Sequence, residues 1–421
     1  MSGTDVRLEQ GDCTEAEVVE SRLRTLVDIE SPTGHRDGIA KCLSHIRHWA
    51  GEAIGRNGEI REIDGFDHLY IEGANPGGVL LLGHADTVWP VGTLERLPFT
   101  VADGRARGPG VFDMKSGLVA AIGALERLGA EGFGGMGDIS LLVTGDEETG
   151  SVTSRELIEQ AAARSRAVLI LEPSLDGAVK IARRGAGIYR VGLRGRAAHA
   201  GLEPEKGANA LAEMADILQR LSRHSDDALG TTVSPTFASA GTAVNTIPED
   251  AEVAFDVRAW SLDELERVDS AFRGTLPRDP EVTLTIDGGI NRPPLEREHS
   301  EALYLLAREV AADLGQTPLD GTEVGGASDG NFTAALGTPT LDGLGPLGDG
   351  AHAEHEWADL RSIIERADLV AGLIRRIRLL PDDELPTPCW DGEARHDHPA
   401  VGANHPTDFQ NHGTTTRGEK Q

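Results

Sequence analysis

The sequence predicts an α/β fold, a sheet flanked by helices, interrupted by an inserted α+β module. Three observations carry this expectation. Apolar runs at Val79–Leu82, Ile139–Thr144 and Ala167–Leu171 have the length of buried strands and fall far short of a bilayer span. Segments of helical spacing alternate with them, the pattern of a sheet whose ligands collect beyond the carboxyl ends of its strands. Between about Gly177 and Arg292 the texture changes to a β-α-β-β pattern, and from Pro293 the first texture returns. The expected division is a first α/β part at 14–177, an inserted domain at 178–292, a second α/β part at 293–385 and a disordered tail at 386–421.

In order along the chain, Thr14 to about Trp49 reads as two amphipathic helices around the turn SPTGHRDG. His45 and His48, on the second of these, share a face but have no acidic partner in pattern, so a surface role is expected. The strand Val79–Leu82 is expected to end at Gly83, with His84 and Asp86 just beyond it. In extended backbone, residues two apart point to the same side, so this imidazole and carboxylate face one pocket. RGPGVFDMKSGLVAAIGALERL puts Asp113 just before a helix spanning Gly117 to Leu128. A phosphate loop is excluded there, because Met114 stands where that motif needs glycine. ISLLVTGDEETGS repeats the opening pattern: a buried strand, a loop carrying Asp146, Glu147 and Glu148, and a helix from about Ser154. The helix dipole alone would account for one or two of those acids. A third strand, AVLILEPS, leads to Glu172. In the inserted module, IYRVGLRG, DAEVAFDVRAW and VTLTIDGG read as strands and ANALAEMADILQRLSRH as a helix, with His199 in the loop between the first strand and the helix. The return segment offers a helix at EALYLLAREVAADLG, a turn and short helix at GGASDGNFTAALG, a strand at TPTLDGLGP, and a last helix from Asp359 to about Leu379.

Charge and cysteine usage narrow the function classes. A net charge of −29 argues against nucleic acid, whose phosphates require a basic footprint, and suits solubility or cationic ligands. Cys13, Cys42 and Cys389 are too few and scattered for a disulfide framework or a cysteine zinc site. Neither a signal sequence nor a membrane span is legible, so a cytoplasmic protein with no membrane partner is expected.

Collected, the residues at strand ends and in the late loop are His84, Asp86, Asp113, Glu147, Glu148, Glu172 and His352. Two histidines with three carboxylates suit Zn²⁺, with Co²⁺ or Mn²⁺ as alternatives. One bridging carboxylate holds two such ions about 3.5–4 Å apart in dinuclear hydrolytic sites. Carboxylates this dense repel one another, and cations are the simplest neutraliser.

The segments GHADTV, GPGVFDMKSG, TGDEETGS, LEPS, GRAAHAG and GAHAEHEW, in this order, resemble the zinc hydrolase family of glutamate carboxypeptidase, acetylornithine deacetylase and succinyl-diaminopimelate desuccinylase. The resemblance covers roughly Val18 to Leu380 and is nearest to the glutamate carboxypeptidase branch through LEPS and GGASDGNF. It implies a mixed sheet in a zinc-exopeptidase catalytic domain, an inserted lid and dimerisation domain, and two Zn²⁺ per subunit. By the same likeness His84 and Glu172 bind one ion, Glu148 and His352 the other, and Asp113 bridges. Asp86 then fixes the His84 tautomer, and Glu147 is the general base. His352 is chosen over His355 by its spacing to Glu356 and Trp357. His199 is implied to stabilise the oxyanion in the partner subunit of a homodimer. Asn245, Arg258 and Arg292 match positions that contact substrate, arginine being suited to bidentate capture of a carboxylate. A cis peptide at Asp113-Met114 is implied too. Ser116 departs from the family, which more often has glycine there, and the tail matches nothing.

The expected activity is hydrolysis of a peptidyl or N-acyl amino acid with release of a C-terminal glutamate or similar residue. The alternatives are an N-acyl amino acid deacylase, a metal-dependent protein that captures peptides without cleaving them, and a cation store resting on charge alone.

Overall fold

The computed structural model describes residues 14–381 and Leu385. The tail expected from Pro386 lies outside the described residues. Thr14 opens the first helix, α1 (Glu15–Val27), with a capping box: its hydroxyl accepts the Glu17 N–H while the Glu17 carboxylate accepts the Thr14 N–H. Then follow α2 (Arg36–Ile54), β1 (Glu59–Ile63), β2 (Phe66–Ile71) and β3 (Gly78–His84). β4 (Thr100–Ala102) and β5 (Arg105–Arg107) make a short hairpin before α3 (Ser116–Ala130), and β6 (Ile139–Thr144), α4 (Arg155–Ala163), β7 (Ser165–Ile170) and β8 (Val179–Arg183) complete the first part. β1 and β2 pair with Ile63 opposite Phe66, leaving Asp64-Gly65 as a two-residue turn with positive φ at both positions, the requirement of a type I′ hairpin.

The inserted domain holds β9 (Gly185–Arg194), β10 (Ala198–His199), α5 (Ala210–Ser222), β11 (Thr232–Ala240), β12 (Thr246–Ile247), β13 (Asp250–Ala259), α6 (Leu262–Arg273) and β14 (Thr283–Arg292). Its sheet has the order β11-β13-β9-β14, antiparallel throughout. Its core is its own: Tyr189, Val191, Val253 and Phe255 from the strands pack against Ile217 and Leu221 of α5 and Val268 and Phe272 of α6. The chain then returns through α7 (Glu301–Asp313), β15 (Gly321–Val324), α8 (Gly330–Ala335), β16 (Thr340–Leu341), β17 (Gly348–Asp349), β18 (Trp357–Asp359) and α9 (Leu360–Leu379).

The central sheet has the order β1-β2-β6-β3-β7-β16 and is mixed: β2 joins β6 antiparallel, whereas β6, β3, β7 and β16 run parallel. Alternation along β3 assigns its two faces. Leu81 joins the core under α1, α2, α3, α7 and α9, and Leu80 and Leu82 join the one under α4 and α8. The parallel strands all point their carboxyl ends one way, which gathers the loops after β3, β6 and β7 at one rim.

Three sequence expectations are corrected. Gly83 does not end β3; it pairs with Val143, and a Cβ there would stand 2.7 Å from the Met114 methyl, so the glycine lets the segment around Met114 approach. β11 and α6 lie outside the β-α-β-β reading. TVSPTFASA is an edge strand, exposed along most of its length and interrupted by Pro235, so it lacks the apolar alternation that marks a buried strand. In α6 the apolar stripe is only Leu265, Val268 and Phe272 among charged residues.

Candidate metal centre

The rim above β3, β6 and β7 assembles the acidic cluster. His84 is the last residue of β3, Glu148 sits in a single 3₁₀ turn after β6, and Glu172 follows β7. Asp113 lies on the segment before α3, and its peptide to Met114 is cis. His352, in the loop after β17, has φ +64°, a left-handed conformation uncommon outside glycine.

Asp113 is the centre of the arrangement. Its Oδ1 lies 3.4 Å from His84 Nε2, and its Oδ2 lies 3.3 Å from His352 Nε2. Glu172 Oε1 is 3.4 Å from His84 Nε2, and Glu148 Oε2 is 3.1 Å from His352 Nε2. Two triads therefore share one carboxylate, His84/Asp113/Glu172 and Asp113/Glu148/His352, each with its donor atoms within 4.8 Å of one another. Asp113 Oδ1 and Glu148 Oε1 are buried without a hydrogen-bond donor, which fits oxygens that face cations. The donor set, imidazole nitrogen with carboxylate oxygen, suits Zn²⁺ and related divalent ions.

Protonation tells the same story. Burial disfavours charge on His84, but the carboxylates of Asp113, Asp86 and Glu172 outweigh it and hold the imidazole well above its ordinary pKa. Hydrogen bonds to Asp113 and Glu148 push His352 up to about 10. Burial raises Glu148 to about 7; it also opposes ionisation of Asp113, yet His352 and His84 hold that carboxyl well below the usual range. Without cations, protons held on the two imidazoles balance the carboxylates' charge, so metal and proton compete for the cluster.

Asp86 and Glu356 hold this geometry. Asp86 Oδ1 lies 3.3 Å from His84 Nδ1 and accepts the Glu147 N–H at 3.2 Å, while Oδ2 accepts the Glu148 N–H at 3.1 Å and the Thr33 hydroxyl at 2.7 Å. The His84 Nδ1 hydrogen bond itself falls on the Asp86 backbone carbonyl at 3.0 Å, and the carboxylate beside it holds the acidic loop. The buried Glu356 accepts the N–H groups of Gly110, Phe112 and Asp113 and the Trp89 indole N–H, at 2.8–3.1 Å, fixing the segment that carries Asp113. Of the three acids after β6, Asp146 turns away, accepting from Thr153 and Ser154 at the start of α4.

The other sequence candidates divide. Glu147 is at the cluster, with its carboxylate on Arg292 Nη1 at 2.7 Å. Arg292, expected at a substrate carboxylate, has a side chain only 5% exposed and meets Glu147, Ser151 and Asp329. His199 and Asn245 lie together on an exposed strip of the inserted domain: His199 pairs with Thr246 across β10 and β12, and Asn245 O accepts the Ala200 N–H. Arg258, half-buried on β13, makes a bidentate pair with Asp256 at 2.8 Å. His45, His48 and His355 are exposed.

Behind Glu172, the buried Arg183 is gripped by Asp342 at 2.7 and 2.9 Å and lies 3.7 Å from Glu172 Oε2; Ser328 donates to Asp342 at 2.6 Å. Asp342→Asn should cost about 3–5 kcal/mol in chemical denaturation, because it strips a buried guanidinium of its counter-charge. Burial works against ionised Asp342, but Arg183 and Lys180 lower its pKa below 3.8. Its contribution is therefore present above the unfolded-state pKa and lost as pH falls through the lowered folded value. A variant as stable as the parent at neutral pH would contradict this.

The sequence profile described as Peptidase family M20/M25/M40 matches residues 80–376. The chain is 31% identical over 378 residues to carboxypeptidase G2 of Pseudomonas sp. (strain RS-16), covering 87% of this chain and 91% of that one. It is 29% identical over 335 residues to succinyl-diaminopimelate desuccinylase of Parvibaculum lavamentivorans, covering 73% and 82%. Aminopeptidase PepT of Bacillus cereus superposes with a TM-score of 0.68 at 21% identity, covering 86% of this chain and 99% of that one.

Proposed function

Because the chain belongs to Peptidase family M20/M25/M40, a family of metallopeptidase hydrolases, we propose that it cleaves the amide bond of a peptidyl or N-acyl amino acid at a dinuclear zinc centre, releasing a C-terminal glutamate or similar residue. The observation that carries the dinuclear reading is Asp113, with one oxygen toward each imidazole. His84 and Glu172 would hold one ion and Glu148 and His352 the other, with Co²⁺ or Mn²⁺ able to replace zinc. Cations bound there polarise the scissile carbonyl and acidify water. Glu147 takes the proton of the attacking water and returns it to the leaving nitrogen. Arg258 captures the substrate carboxylate, for which Asp256 is the present stand-in, and Asn245 contributes a neutral contact.

His199 completes the reading in a homodimer. Its Nδ1 accepts the Gly201 N–H at 3.1 Å, which puts the proton of a neutral ring on Nε2, the nitrogen free to donate to an oxyanion. The exposed edge strand β11 on the same domain is a surface on which a second copy could pair. No helix among the described residues is long and apolar enough to cross a membrane, and a cytoplasmic location fits this reading.

The test is a substrate panel with zinc or cobalt present, read by amine release. Peptidyl and N-acyl glutamates should turn over at least about tenfold faster, in kcat/KM, than N-acyl ornithine or N-succinyl-diaminopimelate, the low end of the discrimination a fitted side-chain pocket gives. Chelation should abolish turnover and zinc restore it. The reverse ranking would favour the deacylase suggested by the desuccinylase relatives, and activity indifferent to chelator would sink the metallohydrolase reading.

A further inference from the structure

We infer that Arg292 is a positioning residue for Glu147: it anchors one carboxylate oxygen and leaves the other free to take a proton. This rests on the reading of Glu147 as general base and extends it to the group that aims the base.

The guanidinium donates from Nη1 to Glu147 Oε1 at 2.7 Å and from Nη2 to the Glu147 carbonyl at 3.3 Å. Among the described residues no hydrogen bond falls on Oε2, so a single oxygen is pinned. Nη2 also donates to Ser151 Oγ at 2.8 Å and stands 3.5 Å from Asp329 Oδ1. Ser151 donates in turn to Asp329, whose other oxygen accepts from Thr144 Oγ1, the side chain ending β6. The Phe332 ring lies under the guanidinium, 5.1 Å to its centroid. Arg292 is thus held from several sides by the catalytic domain, although it is the last residue of β14 in the inserted domain.

The backbone supports the same assignment. Arg292 is followed by Pro293 and Pro294, and the two crossings between domains are tied by reciprocal bonds between Arg183 and Leu295 at 2.9 and 3.1 Å. Asn331 Nδ2 donates to the Pro293 carbonyl at 2.8 Å. The arginine therefore enters from a fixed point, and its planar fork suits a two-point grip on one residue's carboxylate and carbonyl. An arginine stays protonated at working pH, so it orients the base without competing for the proton. A substrate carboxylate reaching Arg292 would have to displace Glu147 from it.

The test compares Arg292→Gln, Glu147→Gln and the double variant on the fastest substrate of the panel, with metal content and melting temperature measured alongside. Arg292→Gln should lower kcat about 100-fold, the cost of a misplaced catalytic group, while KM changes less than about threefold. Arg292→Lys should recover part of kcat. In the Glu147→Gln background the Arg292 change should cost nothing further, since its effect runs through that carboxylate. A rise in KM with kcat retained, or an additive double variant, would overturn the inference in favour of direct substrate contact. A Glu147→Gln enzyme that keeps its turnover would instead refute the general-base reading, whatever Arg292 does. Should Arg292→Gln not fold, Ser151→Ala removes one of the guanidinium's anchors. A several-fold loss of kcat that vanishes in the Glu147→Gln background would support the inference, and an unchanged kcat would overturn it.

Discussion

Glu147→Gln should leave the metal content of the protein unchanged and lower kcat by about 10³–10⁴-fold, the upper part of the range for a positioned general acid-base group. The separation of the two effects follows from the geometry. Glu147 belongs to neither triad, and its backbone N–H remains fixed on Asp86, so a neutral amide of the same shape disturbs the carboxylates beside it little. Burial raises the Glu147 pKa above 4.5, against the opposing pull of Arg292. A base accepts a proton only when ionised, so turnover should fall as pH drops and Glu147 becomes protonated. The acidic limb of kcat/KM should therefore disappear in Glu147→Gln. Substantial turnover in Glu147→Gln with the same acidic limb would show that another group takes the proton.

The parts of this site that sequence made legible are those that follow from strand ends. His84, Glu148 and Glu172 stand where three buried parallel strands run out, and the period and length of an apolar run are local properties. The partners that hold them are not local. Glu356 reaches Asp113 across 243 positions, and Arg292 reaches Glu147 across 145, distances at which no spacing rule applies. Asp146 and Glu147 are indistinguishable in GDEETG, and only the fold sends one to α4 and the other to the cluster. The family resemblance added roles for His199, Asn245 and Arg258, yet it could not foresee that Arg258 and Arg292 would each have an acidic partner within the chain. The sheet was legible where a strand is a continuous apolar run, and not at β2, which is buried but carries Asp67 and His68, nor at β11, whose exposed edge demands no apolar alternation.

Under the proposed roles, with Glu147 as base and Glu148 as ligand, the arrangement separates tasks that a single residue could not combine. A carboxylate that binds a cation is neutralised and becomes a poor proton acceptor, whereas a base needs a free oxygen and an ionised state. Adjacent positions after β6 solve this. Glu148 turns to His352 and Asp113, Glu147 turns to Arg292, and both N–H groups are fixed by the one Asp86 carboxylate. An arginine beside Glu147 and an imidazole beside Glu148 give the two glutamates different neighbours in the same turn.

Asp113→Asn should be the most damaging change to metal binding, removing both ions where substitution of any other ligand removes one. Asp113 alone belongs to both triads. An asparagine at this position keeps one carbonyl oxygen but turns an NH₂ donor toward the other imidazole, and it withdraws the negative charge that both imidazoles face. Glu172 then remains with His84, and Glu148 with His352, two protein donors each where three or more are usual. Metal analysis after dialysis should fall from two ions per chain toward none. Activity should drop by at least about 10³-fold, the several kcal/mol of transition-state charge stabilisation that bound cations supply. His84→Ala, which touches one triad, should retain the ion at His352. The folded state should survive Asp113→Asn, because Glu356 grips the backbone N–H groups of Gly110, Phe112 and Asp113 and not the Asp113 side chain. A circular dichroism spectrum and melting temperature close to those of the metal-free parent would establish that. An Asp113→Asn protein that still bound two ions would mean that Asp113 is not the bridge, and would leave the two triads as separate sites.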